Sequence, residues 1–435
     1  MRRRLAGVLV GLLFAAALLP ACAHAQTTAQ SQQALNTLAG PLFQQLAALK
    51  GMANPGPVPP VLLRSREENR RYIEQELTRR YSPARLEAER KGMVAWGLIP
   101  PDYDLKRLFL DLVQEQVSAY YDPPTKTMVV GDWLPLEQQQ AALMHELVHA
   151  LQDRQVPLDT FIQPEPGKGD QLLARQALVE GEAVALQLTL LLQAQGTDFA
   201  ALPDLAPLRG AITAGTVGPA VQSAPKFIRD LLLFPYVEGL TFVHQFRKRQ
   251  PWSAITDLYR DPPRSSAQIL WPEKRLTTRE DPIPIALPDL GTWLPPDKVA
   301  QEDELGQFGL AQVAGLHLGE TEGRRVTFGW RGDRYRIWED EPGRFVLAYL
   351  VAMQAEPMAN FLAFQLTSIV EKRHPALTRR GVPGKAGAIV TWQEGGRAWV
   401  VEKRGAEVLL LERVPAAVAD QLREAIWQSR GNPRP

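Results

Sequence analysis

The stretch Ala142-Leu-Met-His-Glu-Leu-Val-His-Ala-Leu-Gln-Asp153 sets two histidines four residues apart inside an apolar run. Leu143, Leu147, Val148 and Leu151 recur at helical spacing, which predicts one helix from near Pro135 through Asp153. On such a helix His145 and His149 lie one turn apart, with about 5 to 6 Å between their Cβ atoms. Both imidazoles can then reach one metal ion. Glu146 is rotated by about 100° from His145, so it can reach a water at that metal without ligating it. The competing reading of this H-E-x-x-H is a core helix that carries two incidental histidines.

A catalytic metal needs a third protein ligand and a position left open. Cysteine cannot supply it, because Cys22 is the only one, and His244, His317 and His374 stand in dissimilar surroundings. A helix predicted over Asp170–Ala194 is the better source, since Glu180 and Glu182 interrupt its apolar run ALVEGEAVALQLTLLL. A carboxylate in a buried apolar helix costs several kcal/mol unless it is paired or bound to metal. One of the two is expected to meet the ion, and the residues alone leave both open. Asp153, four residues beyond His149, is placed to accept the second imidazole N–H, with an exposed helix-end acid as the alternative. Tyr236, Tyr121 or His244 could donate to a developing oxyanion, with ordinary core packing as the alternative for each.

H-E-x-x-H followed on the next helix by E-G-x-A resembles the gluzincin peptidases. The resemblance implies zinc as the metal and Glu180, directly before Gly-x-Ala, as the third ligand. It leaves Glu182 as an acid outside the ligand set, at a position where that group often has an aromatic residue, and it finds Val179 where asparagine is usual. The segments EQVSAYYDPPTKTMVV, HELVHALQDRQ, ARQALVEGEA, FPYVEGLTFV, YRDPPRSSAQILWPEK and GWRGDRYRIW together resemble a set of exported bacterial proteins described as zinc metallopeptidases without an assigned substrate. Trp271 stands where that set usually has a histidine before Pro-Glu-Lys. The implied reaction is hydrolysis of a peptide bond in a peptide or protein substrate, with Glu146 as general base. The alternative is a non-catalytic envelope protein whose structural or vestigial zinc site accompanies partner binding.

The rest of the 435-residue chain frames this site. With 49 Lys+Arg against 48 Asp+Glu, the charge predicts no nucleic-acid partner and no electrostatic capture on membranes. Arg2, Arg3 and Arg4 before an apolar run from Leu5 to Leu19 read as an export signal over residues 1–25, since fifteen helical residues span only about 22 Å. The expected location is periplasmic, secreted or envelope-associated, with membrane attachment only through a lipid on Cys22. Residues 26–60, ending in the proline-rich MANPGPVPP, are expected as a stalk or propeptide-like linker. A charged helix is expected over 65–91, another over 104–118, and a strand over Thr127–Val130 that would run along a cleft edge to hold extended peptide.

The fold class expected is α+β, in two parts. A mainly helical, zincin-like metallopeptidase domain covers 61–285, and the proline-rich DPIPIALPDLGTWLPPD leads from it into a smaller α+β module over 286–435. In that module VTFGWRGDRYRIWED, GAIVTWQ, AWVVEKRG and AEVLLLERV alternate as strands of an antiparallel sheet.

Overall fold

The computed structural model describes residues 28–80, 82–116, 118–215, 218–380 and 389–431; the expected export signal and Cys22 lie outside them. The chain is α+β, with most helices on one side of a seven-stranded antiparallel sheet and the C-terminal helix on the other.

Helix α1 (Thr28–Leu49) buries Leu35, Ala39, Leu42, Phe43 and Leu46 at helical spacing. This stripe packs on α5 (Leu136–Gln155) and α7 (Gly169–Gln193). The expectation of a stalk or linker over 26–60 is corrected for this helix: its apolar stripe is a wall of the core. The single helix expected over 65–91 is two, α2 (Arg66–Arg80) and α3 (Pro83–Ala95). Ser82 caps α3 by accepting from Arg85 N at 3.2 Å, and Pro83 occupies its first turn. Helix α4 spans Leu105–Gln116.

A small sheet follows, made of β1 (Val61–Arg64), β2 (Ala119–Asp122) and β3 (Thr127–Gly131) in the order β1-β3-β2. The strand expected at the edge is therefore the central one, parallel to β1 and antiparallel to β2. The edge beside α5 is β2, which is buried throughout.

Beyond α5 come the one-turn α6 (Leu158–Phe161), then α7, α8 (Ala206–Gly215), α9 (Pro219–Ser223) and α10 (Lys226–Arg247). Three short helices, α11 (Thr256–Arg260), α12 (Ser266–Leu270) and α13 (Glu273–Leu276), close this part. Helices α7 and α10 cross backbone to backbone. A Cβ placed on Gly181 would stand 2.2 Å from the carbonyl carbon of Gly239, and one on Gly239 would stand 2.2 Å from Ala177 O. Only glycine permits this approach, and it sets the separation of the two helices.

The large sheet has the order β4 (Val299–Asp303), β5 (Trp330–Glu341), β6 (Arg344–Met353), β10 (Glu407–Pro415), β9 (Arg397–Arg404), β8 (Ile389–Glu394), β7 (Thr378–Arg380). Leu347, Tyr349, Val351 and Met353 of β6 join the core shared with the helices. Val346, Ala348, Leu350 and Ala352 face a second cluster on the outer side. Helices α14 (Gly306–Leu318), α15 (Glu320–Val326) and α16 (Glu356–Arg373) belong to the first core, and α17 (Ala419–Ser429) covers the second. The proline-rich segment expected as a boundary lays Ile285, Leu287, Leu290 and Leu294 on that outer face. One apolar core runs without a break from Leu35 of α1 to Leu410 of β10, so the division at 285/286 is no gap in packing. No described helix is long and apolar enough to cross a membrane.

Candidate metal centre

Helix α5 carries its two histidines and its glutamate on the face pressed against α7 and β2. His145, Glu146 and His149 are 2, 2 and 3 % exposed. From α7, Glu180 reaches them, with Oε2 3.2 Å from His145 Nε2 and 3.7 Å from His149 Nε2. The two imidazoles stand edge to face, 4.9 Å between centroids. One donor atom from each of His145, His149 and Glu180 lies within 4.8 Å of the others, a group able to hold a metal ion.

The electrostatics are those of a site short of positive charge. Burial pushes the Glu146 carboxyl up to about 8, against the pull of the Tyr121 N–H donated to its Oε2 at 2.8 Å. Burial, then the neighbouring Glu146, pushes Glu180 well above its usual range. Among the described residues no lysine or arginine pairs with either carboxylate, and His149 Nε2 is buried without a hydrogen-bond partner. Burial also holds His149 down to about 4 and His145 well below its usual value, so both rings are neutral and offer lone pairs at neutral pH. A cation among these atoms would ionise the carboxylates and engage the orphaned nitrogen, so the donor set fits a metal.

A second layer of polar side chains surrounds these candidate ligands. His149 Nδ1 donates to Gln152 Oε1 at 2.8 Å, while Gln152 Nε2 donates to Val179 O and to Glu182 Oε2, each at 2.9 Å. Glu182 is fully buried, paired with Lys50 and accepting from Tyr259 Oη. Gln187 lies near His145, and Tyr236 lies near Glu180, its ring 6.5 Å from that of His145 between centroids. Tyr236 sits one turn before Gly239, so the glycine crossing is what brings it to α7.

Not every candidate gathers here. Asp153 does not accept from His149, because that place is taken by Gln152. It accepts instead from Tyr121 Oη at 2.9 Å, Leu158 N at 3.0 Å and Lys126, fastening β2 and α6 to α5. Tyr121 meets Glu146 through its backbone and has its hydroxyl committed to Asp153. His244 packs on Phe199, 5.1 Å between centroids, near the backbone of Phe199 and Leu202. His317 and His374 lie near Glu412 on the sheet. Lys50, Gln152, Gln187 and Tyr259 are absent from the sequence reading. The two glutamines carried the same signal as Glu180, a polar side chain in a buried helical run; Lys50 and Tyr259 carried none.

A cavity of about 300 Å³ opens beside Glu180 and Tyr236. Trp96, Leu112 and Leu231 form part of its apolar wall, and Glu89, Asp303 and Glu304 stand at its β4 end. Glu146 and the two histidines lie behind Glu180, outside the lining. No family model, no curated protein and no solved structure matches the chain. What the centre does has to be read from its own chemistry.

Proposed function

We propose that the protein is an exported zinc metallopeptidase of gluzincin type, with a zincin-like helical part. The observation that carries this reading is the convergence of His145, His149 and Glu180 within 4.8 Å, beside a buried Glu146 that has no cation of its own. Zinc bound there would supply a Lewis acid for the scissile carbonyl and bring the pKa of water towards 7. The chain's own residues do the rest. Glu146, held at Oε2 by Tyr121 N–H, takes a proton from the attacking water and hands it to the leaving amine. Gln152 keeps the His149 Nε2 lone pair turned inward, and Tyr236 stands near Glu180. The cavity beside Glu180 and Tyr236 takes the substrate side chain next to the scissile bond.

The test is zinc content together with peptide hydrolysis for wild-type and Glu146→Gln protein. Zinc in both and turnover in the wild type alone is the expected result; an equally active variant would sink the mechanism. One observation favours the rival reading of a structural zinc in a non-catalytic envelope protein: all three motif residues are at most 3 % exposed, and structural sites are closed. Tight zinc without hydrolysis of any peptide in a diverse library would decide for it.

A further inference from the structure

We infer that Lys50 is a positioning residue for the metal centre, acting on His149 through Glu182 and Gln152. This rests on the metal reading above. Lys50 follows the last residue of α1, and the side chains of Lys50 and Glu182 are both 0 % exposed. Glu182 turns Oε1 to the ammonium and Oε2 to Gln152 Nε2 and Tyr259 Oη.

Two fixed acceptors thus claim both N–H groups of Gln152: Val179 O and Glu182 Oε2. Reversing the amide would set its oxygen against those two oxygens, so the network permits only one orientation. That orientation points Oε1 at His149 Nδ1, which must then carry the proton. The remaining nitrogen, Nε2, keeps its lone pair and faces Glu180. Lys50 is the cation against which Glu182 is buried. With it removed, the carboxylate turns from Gln152 or draws in water, and the amide loses an acceptor that fixes it. Helix α1 therefore belongs to the metal centre, and a chain cut after Lys50 would lose the charge that orients a ligand.

The test titrates zinc against a chromophoric chelator with wild-type, Lys50→Met and Lys50→Arg protein, with far-UV circular dichroism and urea midpoints recorded alongside. Lys50→Met is expected to weaken zinc binding about 10- to 100-fold, and Lys50→Arg, which keeps the charge, by less. A folded Lys50→Met protein with wild-type zinc affinity overturns the inference. If Lys50→Met does not fold, Lys50→Met/Glu182→Leu leaves no lone buried charge and no acceptor for Gln152, and is expected to show the same weakening; wild-type affinity there overturns it equally. Long-range ¹⁵N NMR of the metal-free wild type needs no variant: His149 is expected as the Nδ1–H tautomer, and Nε2–H overturns the inference. A wild type that takes up no zinc removes the metal reading itself, a failure distinct from these.

Discussion

Two pairs of buried glutamates, Glu402 and Glu412 on the sheet and Glu146 and Glu180 between the helices, are treated in opposite ways. Glu402 of β9 accepts from Arg404 at 2.9 Å, from Arg423 at 3.0 and 3.1 Å, and from Trp427 Nε1 at 2.7 Å. Glu412 of β10 accepts from Arg373 at 2.9 Å. Between α5 and α7, Glu146 and Glu180 have no such partner among the described residues, although Glu182, two residues on, has Lys50. Asp170 and Asp333 are also buried without a cation, but they accept from backbone N–H, indole and hydroxyl donors. Glu146 and Glu180 instead converge with two neutral imidazoles, which leaves room for a cation from outside.

That contrast can be broken most directly at a ligand. His149→Ala is expected to reduce zinc from about one per chain to none, with hydrolysis falling to background; atomic absorption on the purified variant reads it, and retained zinc would end the comparison. Next in size is Glu146→Gln, for which turnover is expected to drop about 10²- to 10⁴-fold while zinc content stays the same.

The sheet side gives the mirror test. Arg373→Met leaves Glu412 without its strongest partner, and a loss of about 3 kcal/mol is expected in urea unfolding, with zinc affinity untouched. The pH profile sharpens it. Burial pushes the Glu412 carboxyl up, but Arg373 and then His374 outweigh this and hold it below the usual 4.5. In the wild type its contribution is complete above about pH 4.5 and is lost as pH falls through the lowered value. In Arg373→Met this acid-side loss should flatten, and a profile as steep as the wild type would show that Arg373 is not the cause.

Zinc itself should act as the missing cation. At a free concentration a hundred times its dissociation constant it is expected to stabilise the fold by about 2.7 kcal/mol, reversibly with chelator. Unfolding that ignores zinc would remove the contrast. The smallest change expected is Gly239→Ala, where a methyl forced against Ala177 O should destabilise by about 1 to 3 kcal/mol in the same urea assay.

The sequence showed most clearly what one helix can hold by itself. The spacing of His145, Glu146 and His149 is a property of the α-helical turn, and a glutamate in the apolar run of α7 advertises a partner. The second layer was out of view because it depends on which helices meet. Gln152 stands three residues from His149, but its orientation is set by Val179 and Glu182 on α7. Helix α1 read as a linker since it carries few charges and leads into MANPGPVPP; only its contact with α5 and α7 reveals the apolar stripe as a core face. Strand β6 went unnoticed for a different reason. Both its faces are buried, so RFVLAYLVAM lacks the polar alternation that marks β5. β2 hid in a Tyr-Tyr-Asp-Pro-Pro run that reads as a turn, which made β3 look like an edge.

Lys50 and Glu182 are 132 residues apart in the chain. During synthesis α1 emerges first, and its terminal ammonium must wait in water until α7 has been made and the intervening segment has closed on itself. Such a long loop adds a closure entropy that grows as the logarithm of its length, and contacts of this separation form late in folding. The network that orients His149 is therefore among the last parts of the helical core to dry. A chain interrupted before Glu182 could form the H-E-x-x-H helix and still lack a site.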